Sequence, residues 1–240
     1  MSLQVRNINF QYKNVPHCRK DAEEVNQVLK SFSADFASGE VTALTGDNGS
    51  GKTTLSRIIM GILTPSEGSV FVDGTCIDQW TLAQRGRLIG YVMQNPARQI
   101  FCKTVKEEIE YGIRNIEGLS NKEVEEIAAG HLEMFGLAHQ LNAFPFELSH
   151  GEKQRLVLAS VLAMKPKYLI LDEPTASLDT QHKAVLGELL REIARPVTEK
   201  NCEGCGVIVI SHDKGFISRY CDREVTVCEC TGDTTEGIDA

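Results

Sequence analysis

The sequence of 240 residues lacks a long apolar run: no stretch approaches the roughly 18–20 apolar residues that a membrane span needs. Its first residues also lack the basic-then-apolar layout of a signal peptide, so we expect a cytoplasmic protein. Basic residues are outnumbered, 25 against 33 acidic ones, which gives a net charge of −8. A nucleic-acid-binding surface needs the opposite sign, so no nucleic-acid partner is expected.

Short β-rich runs alternate with longer helical stretches along the chain. Apolar runs or period-two alternation predict strands at 5–10, 32–36, 41–45, 69–72, 89–92, 168–172, 207–211 and 225–228. Helical periodicity predicts helices at 53–62, 105–116, 122–135, 152–163 and 181–194. This order indicates an α/β fold with a mainly parallel sheet, and the run at 168–172, apolar on both faces, suits its buried centre.

The alternation breaks between about residues 96 and 164, where helices follow one another without a convincing strand. We therefore expect one domain over residues 1–240, with an α/β core of about 1–95 and 165–230 and a helical subdomain of about 96–164. Residues 14–27 are polar and predict a long loop, and residues 231–240 predict a frayed tail.

A glycine-rich stretch follows the predicted strand 41–45 and opens a helix. It contains Gly46, Asp47, Asn48, Gly49, Ser50, Gly51, Lys52, Thr53 and Thr54. Strand, glycine-rich turn and helix together form the context of a phosphate-binding loop, in which backbone N–H groups point at phosphate oxygens. Lys52 would neutralise the β- and γ-phosphates and the Thr53 hydroxyl would bind Mg²⁺. The alternative is a glycine-rich helix cap without a ligand.

Four further motifs follow in order. They are Leu148-Ser149-His150-Gly151-Glu152, the apolar run that ends in Asp172 and Glu173, the stretch with Asp179, and Ser211-His212-Asp213. With the phosphate loop, this series resembles the nucleotide-binding subunit of ATP-binding cassette (ABC) transporters. The resemblance implies the P-loop ABC ATPase fold, in which the parallel core carries an N-terminal antiparallel β part and an inserted helical subdomain.

The resemblance also implies a role for each matching residue, with ATP and Mg²⁺ as cofactors. Glu173, His212 and Gln94 match the residues that act on the attacking water and the γ-phosphate. Thr53, Gln94 and Asp172 match the Mg²⁺ ligands. The nucleotide-binding positions are Tyr12, Gly46 to Thr54, Ser149, Gly151 and Asp179, and the last three act across a dimer of two ATPase subunits. Tyr12 would stack on adenine, or else be an ordinary edge-strand aromatic.

The family signature normally reads Leu-Ser-Gly-Gly-Gln, whereas this chain has His150 and Glu152 at the third and fifth positions. Ser149 and Glu152 also form a capping-box pattern, worth on the order of 1 kcal/mol. Glu152 would place negative charge near a triphosphate. We expect a competent but untypical site.

The stretch from Asn95 to Glu108 resembles the energy-coupling-factor (ECF) and cobalt-type ATPases, which drive uptake of vitamins and metal ions. The resemblance implies a transmembrane coupling subunit and a substrate-binding membrane subunit as partners, and a peripheral location on the inner face of the cell membrane. Ile100 and Phe101 would either line the groove for the coupling subunit or pack inside the helical subdomain. Many members carry a further C-terminal helical domain that helps to hold the dimer, whereas this sequence ends soon after its last predicted strand, so we expect a dimer held mainly by nucleotide and partners.

Eight cysteines in a cytoplasmic chain predict reduced thiols. Cys202, Cys205 and Cys221 could share one sheet edge, so a metal site there stays open. Cys228 and Cys230 would lie more than about 15 Å away at ~3.3 Å per residue, too far for one tetrahedral ion.

Three functions compete. The first is an ATP hydrolase that powers a membrane transporter. The second is a nucleotide-binding structural subunit that hardly hydrolyses ATP and pairs with a second, related ATPase. The third is an ABC-type ATPase of DNA repair or translation, which would need long insertions or two cassettes.

Overall fold

The computed structural model of the protein describes residues 1–12, 27–116, 118–176, 178–195 and 204–228. The strands in these ranges are β1 (Ser2–Gln11), β2 (Gln27–Ala37), β3 (Val41–Thr45), β4 (Glu67–Val72), β5 (Thr75–Cys76), β6 (Ile89–Val92), β7 (Tyr168–Asp172), β8 (Gly206–Ile210) and β9 (Arg223–Thr226). The α-helices are α1 (Lys52–Ile59), α2 (Leu82–Gly86), α3 (Val105–Arg114), α4 (Asn121–Met134), α5 (His150–Ala163), α6 (Thr180–Ala194) and α7 (Lys214–Tyr220).

These strands form two sheets. The parallel sheet has the order β6-β7-β8-β3-β9. The antiparallel sheet has the order β2-β1-β4-β5. All five residues of β3, of β7 and of β8 are buried, which explains why their sequences are largely apolar on both faces. The predicted α/β fold with a mainly parallel sheet and an N-terminal antiparallel part is therefore confirmed.

Two hydrophobic cores lie on opposite faces of the parallel sheet. Leu169 and Leu171 of β7 face the core formed with α3, α4, α5 and α6. Tyr168 and Ile170 face the core formed with α1 and the antiparallel sheet. Because alternate residues of a strand point to opposite faces, β7 contributes to both cores. The carboxyl ends of the parallel strands are thereby fixed from both sides.

In the described part of residues 96–164, the chain forms α3, α4, α5 and short 3-10 turns. Apolar residues from all three helices, among them Ile109, Ala128 and Val157, pack into one cluster. Thr104, Ser120 and Ser149 cap the helix N-termini by accepting hydrogen bonds from backbone N–H groups three residues on. In chain order, these three helices lie between β6 and β7.

Several elements differ from the sequence predictions. β2 begins at Gln27, the last residue of the stretch predicted as a loop, because its backbone pairs with β1 from Gln27 onward. Asn7 and Ser31 have positive φ angles of 51° and 45°, and the register of the pair shifts there, which interrupts the alternation. The short β5 and α2 were not predicted, because neither is long enough to show a period. Residues 13–26 and 229–240 lie outside the described ranges.

Candidate functional site

The glycine-rich stretch forms a tight turn from β3 into α1. Gly46, Gly49 and Gly51 have φ angles of 137°, 90° and 102°, which disfavour other residues. A Cβ atom on Gly46 would lie 2.4 Å from the carbonyl oxygen of Val227, so close packing also requires glycine there. The turn leaves the first N–H groups of α1 directed at the space beyond β3, as a phosphate-binding loop requires.

The Lys52 side chain reaches back from α1 to the start of this turn. Its ammonium group is buried and donates hydrogen bonds to the carbonyl oxygens of Gly46 and Asp47, both at 2.8 Å. Burial lowers the pKa of Lys52, and the nearby carboxylates of Glu173, Asp47 and Asp172 oppose that shift. The cation therefore lies where phosphate oxygens could replace the two carbonyl groups.

Asp172 ends β7 and faces α1. Its Oδ1 accepts a hydrogen bond from the Thr53 hydroxyl at 3.4 Å, and its Oδ2 accepts one from the Tyr91 hydroxyl at 3.0 Å. Burial raises the pKa of Tyr91 to about 12. The carboxylate and the Thr53 hydroxyl are hard oxygen donors of the kind that Mg²⁺ prefers, and Gln94, whose amide can offer a third such oxygen, lines the same cleft. The donor set thus fits the predicted metal.

Glu173 follows Asp172 but leaves the strand. Its φ angle is 50°, in the left-handed region that is strained for residues other than glycine. Its N–H donates to the carbonyl oxygen of Ile210 at 2.9 Å, and its Oε1 lies 3.3 Å from Nε2 of His212. Burial raises the pKa of Glu173, while His212 has the opposite influence. Asp172 and Glu173 diverge because of this backbone turn, not because of simple strand alternation.

Most of the predicted residues meet at one cleft of about 690 Å³ at the carboxyl ends of the parallel strands. It is lined by Tyr12, Val28, Asn48, Gly49, Gly51, Lys52, Thr53, Thr54, Gln94, Asp172, Glu173, Ile210 and His212. At the rim, the Tyr12 hydroxyl lies 3.0 Å from the Thr54 hydroxyl and its ring packs edge-on against Phe10. Gly46, Asp47 and Ser50 belong to the loop without lining the cleft.

Ser149, Gly151 and Asp179 do not line this cleft. Ser149 caps α5, and its backbone N–H and hydroxyl donate to Glu152 Oε2 at 2.8 and 2.6 Å. Gln140 donates to the other Glu152 oxygen at 2.6 Å, and these bonds lower the pKa of Glu152 to about 2. Asp179 caps α6 and accepts hydrogen bonds from the backbone and side chain of His182, which lower its pKa.

The cysteines show no metal centre in the part of the chain that the structure describes, where no group of three metal-ligating side chains occurs. Cys205 and Cys221 are partly buried, and burial raises the pKa of each thiol to about 12. Protonated thiols are poor zinc ligands. Cys202 and Cys230 lie outside the described residues.

Sequence reasoning missed Tyr91, Val28 and Ile210. Val28 and Ile210 add apolar surface to the cleft. Tyr91 of β6 pairs with Ile170 of β7 in the parallel register. Asp172 follows Ile170 by two residues, so its side chain lies on the same face of the sheet. The pattern of β6 alone contains no sign of this contact, because it depends on which strand lies beside β6.

The fold and the cleft define a nucleotide-binding ATPase, and comparison with known proteins identifies the family. The ABC transporter family profile matches residues 29–176. The chain belongs to the ABC transporter family, in which it is an ATP-binding subunit and an ATP hydrolase. Within the described ranges, no helix has both the length and the apolar character required to cross a bilayer.

Several relatives are similar over most of the chain. A protein of Pyrococcus furiosus, provisionally named an ABC transporter ATP-binding protein, is 41% identical over 84% of this chain and 74% of its own length. A Methanosarcina mazei protein with the same provisional name is 37% identical over 88% of this chain. The chain spans only 34% of that longer relative.

Two solved structures have a similar fold. CbiO1 from Clostridium perfringens, part of the ABC transporter complex CbiONQ, superposes with a TM-score of 0.79 at 32% identity, over 97% of this chain and 86% of that one. The dimeric cassette MJ0796, in a post-hydrolysis state bound to ADP and phosphate, gives a TM-score of 0.80 at 28% identity, over 98% of this chain and 97% of that one.

Proposed function

We propose that this subunit couples ATP hydrolysis to an ECF or cobalt-type uptake transporter, whose cargo is a vitamin or a metal ion. One observation carries the catalytic part of this proposal: Lys52, Asp172, Glu173 and His212 line a single cleft at the strand ends. Phosphoryl transfer needs charge neutralisation, N–H donors and one oriented water, and the cleft offers groups for all three.

The nucleotide would lie along the glycine-rich turn with its adenine beside Tyr12. Lys52 would exchange its two carbonyl partners for β- and γ-phosphate oxygens. Thr53, Gln94 and Asp172 would hold Mg²⁺, which when bound neutralises charge on the phosphates. Ser149, Gly151 and Asp179, which lie outside the cleft, would act on nucleotide only across a second ATPase subunit.

Glu173 would accept a proton from the attacking water, whose oxygen then bonds to the γ-phosphorus as the bond to the β–γ bridging oxygen breaks. A partly buried carboxylate with a raised pKa, such as that of Glu173, is a stronger base than a fully exposed one. His212, with Nε2 3.3 Å from Glu173 Oε1, would orient that carboxylate and contact the γ-phosphate.

A Glu173→Gln variant tests the catalytic proposal. Glutamine keeps the shape of the side chain but cannot accept a proton, so phosphate release should fall by about two or more decades while ATP still binds. With Mg-ATP, the variant should accumulate as a dimer in size-exclusion light scattering, and an added Ser149→Arg change should prevent it. Turnover at the wild-type rate would eliminate Glu173 as the base.

Membrane partners are supported by the likeness to CbiO1, which is part of a transporter complex. They would place the subunit at the inner face of the cell membrane.

Ile100, one of two candidate groove residues, is buried in the helical core and packs inside the protein. Phe101 is 61% exposed and packs edge-on against Tyr111, which is 53% exposed. This exposed aromatic pair is the better candidate for contact with a coupling subunit.

A Phe101→Asp change should abolish co-purification with the membrane partner and leave ATP binding intact, because it adds charge to an exposed apolar contact without opening the core. Pull-down from detergent-solubilised membranes measures the first effect and nucleotide titration the second. Leu82→Asp, at a residue 58% exposed on α2, is the matched control. Undiminished co-purification of the Phe101 variant would remove this surface from the proposal.

One observation favours the second candidate, a nucleotide-binding subunit with weak hydrolysis. The Ser149 hydroxyl donates to Glu152 at 2.6 Å, so it is not free to donate to a phosphate. A different ATPase subunit would then complete the pair. If the Glu173→Gln variant stays monomeric at saturating ATP with turnover blocked, a heterodimer becomes the better description.

A further inference from the structure

Tyr91 of β6 connects the Asp172 carboxylate to helix α1. Its hydroxyl donates to Asp172 Oδ2 at 3.0 Å and lies 3.3 Å from the hydroxyl of Ser56. Ser56 in turn donates to the backbone carbonyl of Thr53 at 2.9 Å. The chain of contacts therefore runs from the end of β7, through a side chain of β6, to the first turn of α1.

The positions of these residues follow from the parallel register. Tyr91 pairs with Ile170, and Asp172 lies two residues further along β7 on the same face. That face packs against α1 through residues such as Ile58 and Ile59. A long side chain at position 91 is needed to reach from the strand to the carboxylate, and its hydroxyl meets the carboxylate beneath the cleft.

Counting protons shows which bond has priority. Tyr91 and Ser56 each have one hydroxyl hydrogen, while three contacts compete for them: Asp172 Oδ2, the Thr53 carbonyl and the contact between the two hydroxyls. A carboxylate is the strongest of these acceptors. Tyr91 therefore gives its hydrogen to Asp172, and Ser56 accepts none from it.

The two carboxylate oxygens have separate partners. Oδ2 is held by Tyr91, and Oδ1 lies toward the Thr53 hydroxyl at 3.4 Å. Holding one oxygen fixes the rotation of the whole carboxylate, so the other stays directed at Thr53, which lies in the first turn of α1 and lines the cleft.

We propose that Tyr91 is a positioning residue for the metal–nucleotide site, and that it fixes the Asp172 carboxylate in the orientation that the metal ion requires. This inference rests on the proposed function, since it assigns Asp172 to the metal. Tyr91 does not line the cleft, so its loss weakens metal binding without weakening nucleotide binding in the absence of metal.

The test uses the full chain with Mn²⁺ as the metal and adenylyl imidodiphosphate as the nucleotide. Free Mn²⁺ is measured by electron paramagnetic resonance, and nucleotide affinity is titrated separately in a chelator. Tyr91→Phe removes only the hydroxyl and should lower Mn²⁺ affinity about tenfold, the usual weight of a hydrogen bond to a charged group, with nucleotide affinity in chelator unchanged. Tyr220→Phe, at a buried tyrosine of α7, should behave as the wild type.

Mn²⁺ affinity that stays at the wild-type value in Tyr91→Phe, or an equal loss in Tyr220→Phe, overturns the inference. An equal loss of nucleotide affinity in chelator also overturns it, because general damage to the cleft would then suffice. Should Tyr91→Phe fail to give a cooperative melting transition, Tyr91→Met, which also lacks the hydroxyl, takes its place in the same two titrations.

Asp172→Asn separates this inference from the function beneath it. If Asp172→Asn abolishes Mn²⁺ binding and Tyr91→Phe leaves it unchanged, only the positioning role fails. If Asp172→Asn keeps the wild-type affinity for Mn²⁺, the assignment of Asp172 to the metal fails, and the role of Tyr91 fails with it.

Discussion

At the scale of single residues, buried charges divide into two kinds. Arg85 donates to the carbonyl oxygens of Ile58, Ile59 and Asp78, so its hydrogen bonds hold α1 to the chain around α2. Lys52 is as well buried, 6% exposed, but its carbonyl partners belong to the glycine-rich turn that a ligand would contact. The first kind stabilises the fold and the second keeps a charge ready for phosphate.

Lys52→Ala should weaken ATP binding at least tenfold in a calorimetric titration. Removing one partner of a desolvated charge pair costs about 2–5 kcal/mol, largely because the phosphates are left unpaired. Lys167→Ala is the control, since Lys167 forms a surface ion pair with Asp73 at 3.1 Å. Unchanged ATP affinity in Lys52→Ala would contradict the phosphate-binding role of the loop.

The positive φ of Glu173 predicts that stability and hydrolysis respond differently to replacement of this residue. Glu173→Gly should be more stable than Glu173→Ala by about 1 kcal/mol, because glycine adopts the left-handed region without a Cβ clash. Both variants should lose hydrolysis alike. Chemical denaturation compares their free energies of unfolding, and an alanine variant as stable as the glycine variant would mean that the backbone is not strained there.

At the scale of elements, the N-terminus of α5 combines a helix cap with the signature sequence. Glu152 closes the cap by accepting hydrogen bonds from Ser149, and Gln140 reaches it from the preceding segment. The usual glutamine at this position could close the same cap without a charge. The substitution therefore ties the stability of the helix to pH.

Glu152→Gln should make the stability of the folded protein less dependent on pH in the acid range. The folded-state pKa of Glu152, about 2, lies below its usual value of 4.5. The stabilisation is thus present above about pH 4.5 and is lost as pH falls toward 2. Screening by water limits this contribution to about 1 kcal/mol. Melting temperatures between pH 5 and 2.5 should fall less in Glu152→Gln than in the wild type or in the surface variant Glu126→Gln. Parallel curves would contradict this.

Elements with a clear period could be predicted from sequence, and short or edge elements could not. The predicted strand at 168–172 matches β7 because buried parallel strands are apolar throughout. β2 was predicted too short, since the register shift and the positive φ of Ser31 interrupt its alternation before Phe32. Ile100 and Phe101 are adjacent and both apolar, yet one is buried and the other exposed, which only the packing of α3 and α5 decides.

Residues of the site also divide into those that a local sequence pattern predicts and those that depend on the packing of the fold. Loop residues such as Lys52 were predictable because a local turn and a helix start define them. Tyr91 was not, because its contact with Asp172 depends on the pairing of β6 with β7. Ser149 and Asp179 remain predictions, since their proposed partner is nucleotide on a second subunit.

At the scale of the whole molecule, β7 belongs to both cores and has β6 and β8 as neighbours. Its amide groups cannot reach solvent through the opening of one core alone. The amides of Leu169 and Ile170 should therefore exchange with deuterium only in global unfolding, while those of the short helix α2 exchange through local opening. Native-state hydrogen exchange measured by NMR, with increasing denaturant, distinguishes the two.

Such a pattern would place Asp172 and Glu173 at the end of the slowest-exchanging strand. Tyr12 at the rim of the cleft and Ser149 at the start of α5, in contrast, belong to parts of the chain that pack against only one core or lie at its edge. Nucleotide entry and exit would then occur by local fluctuations of the outer elements, with the two carboxylates staying protected throughout. Equal exchange rates in β7 and α2 would contradict this hierarchy and indicate that the chain opens as a single unit.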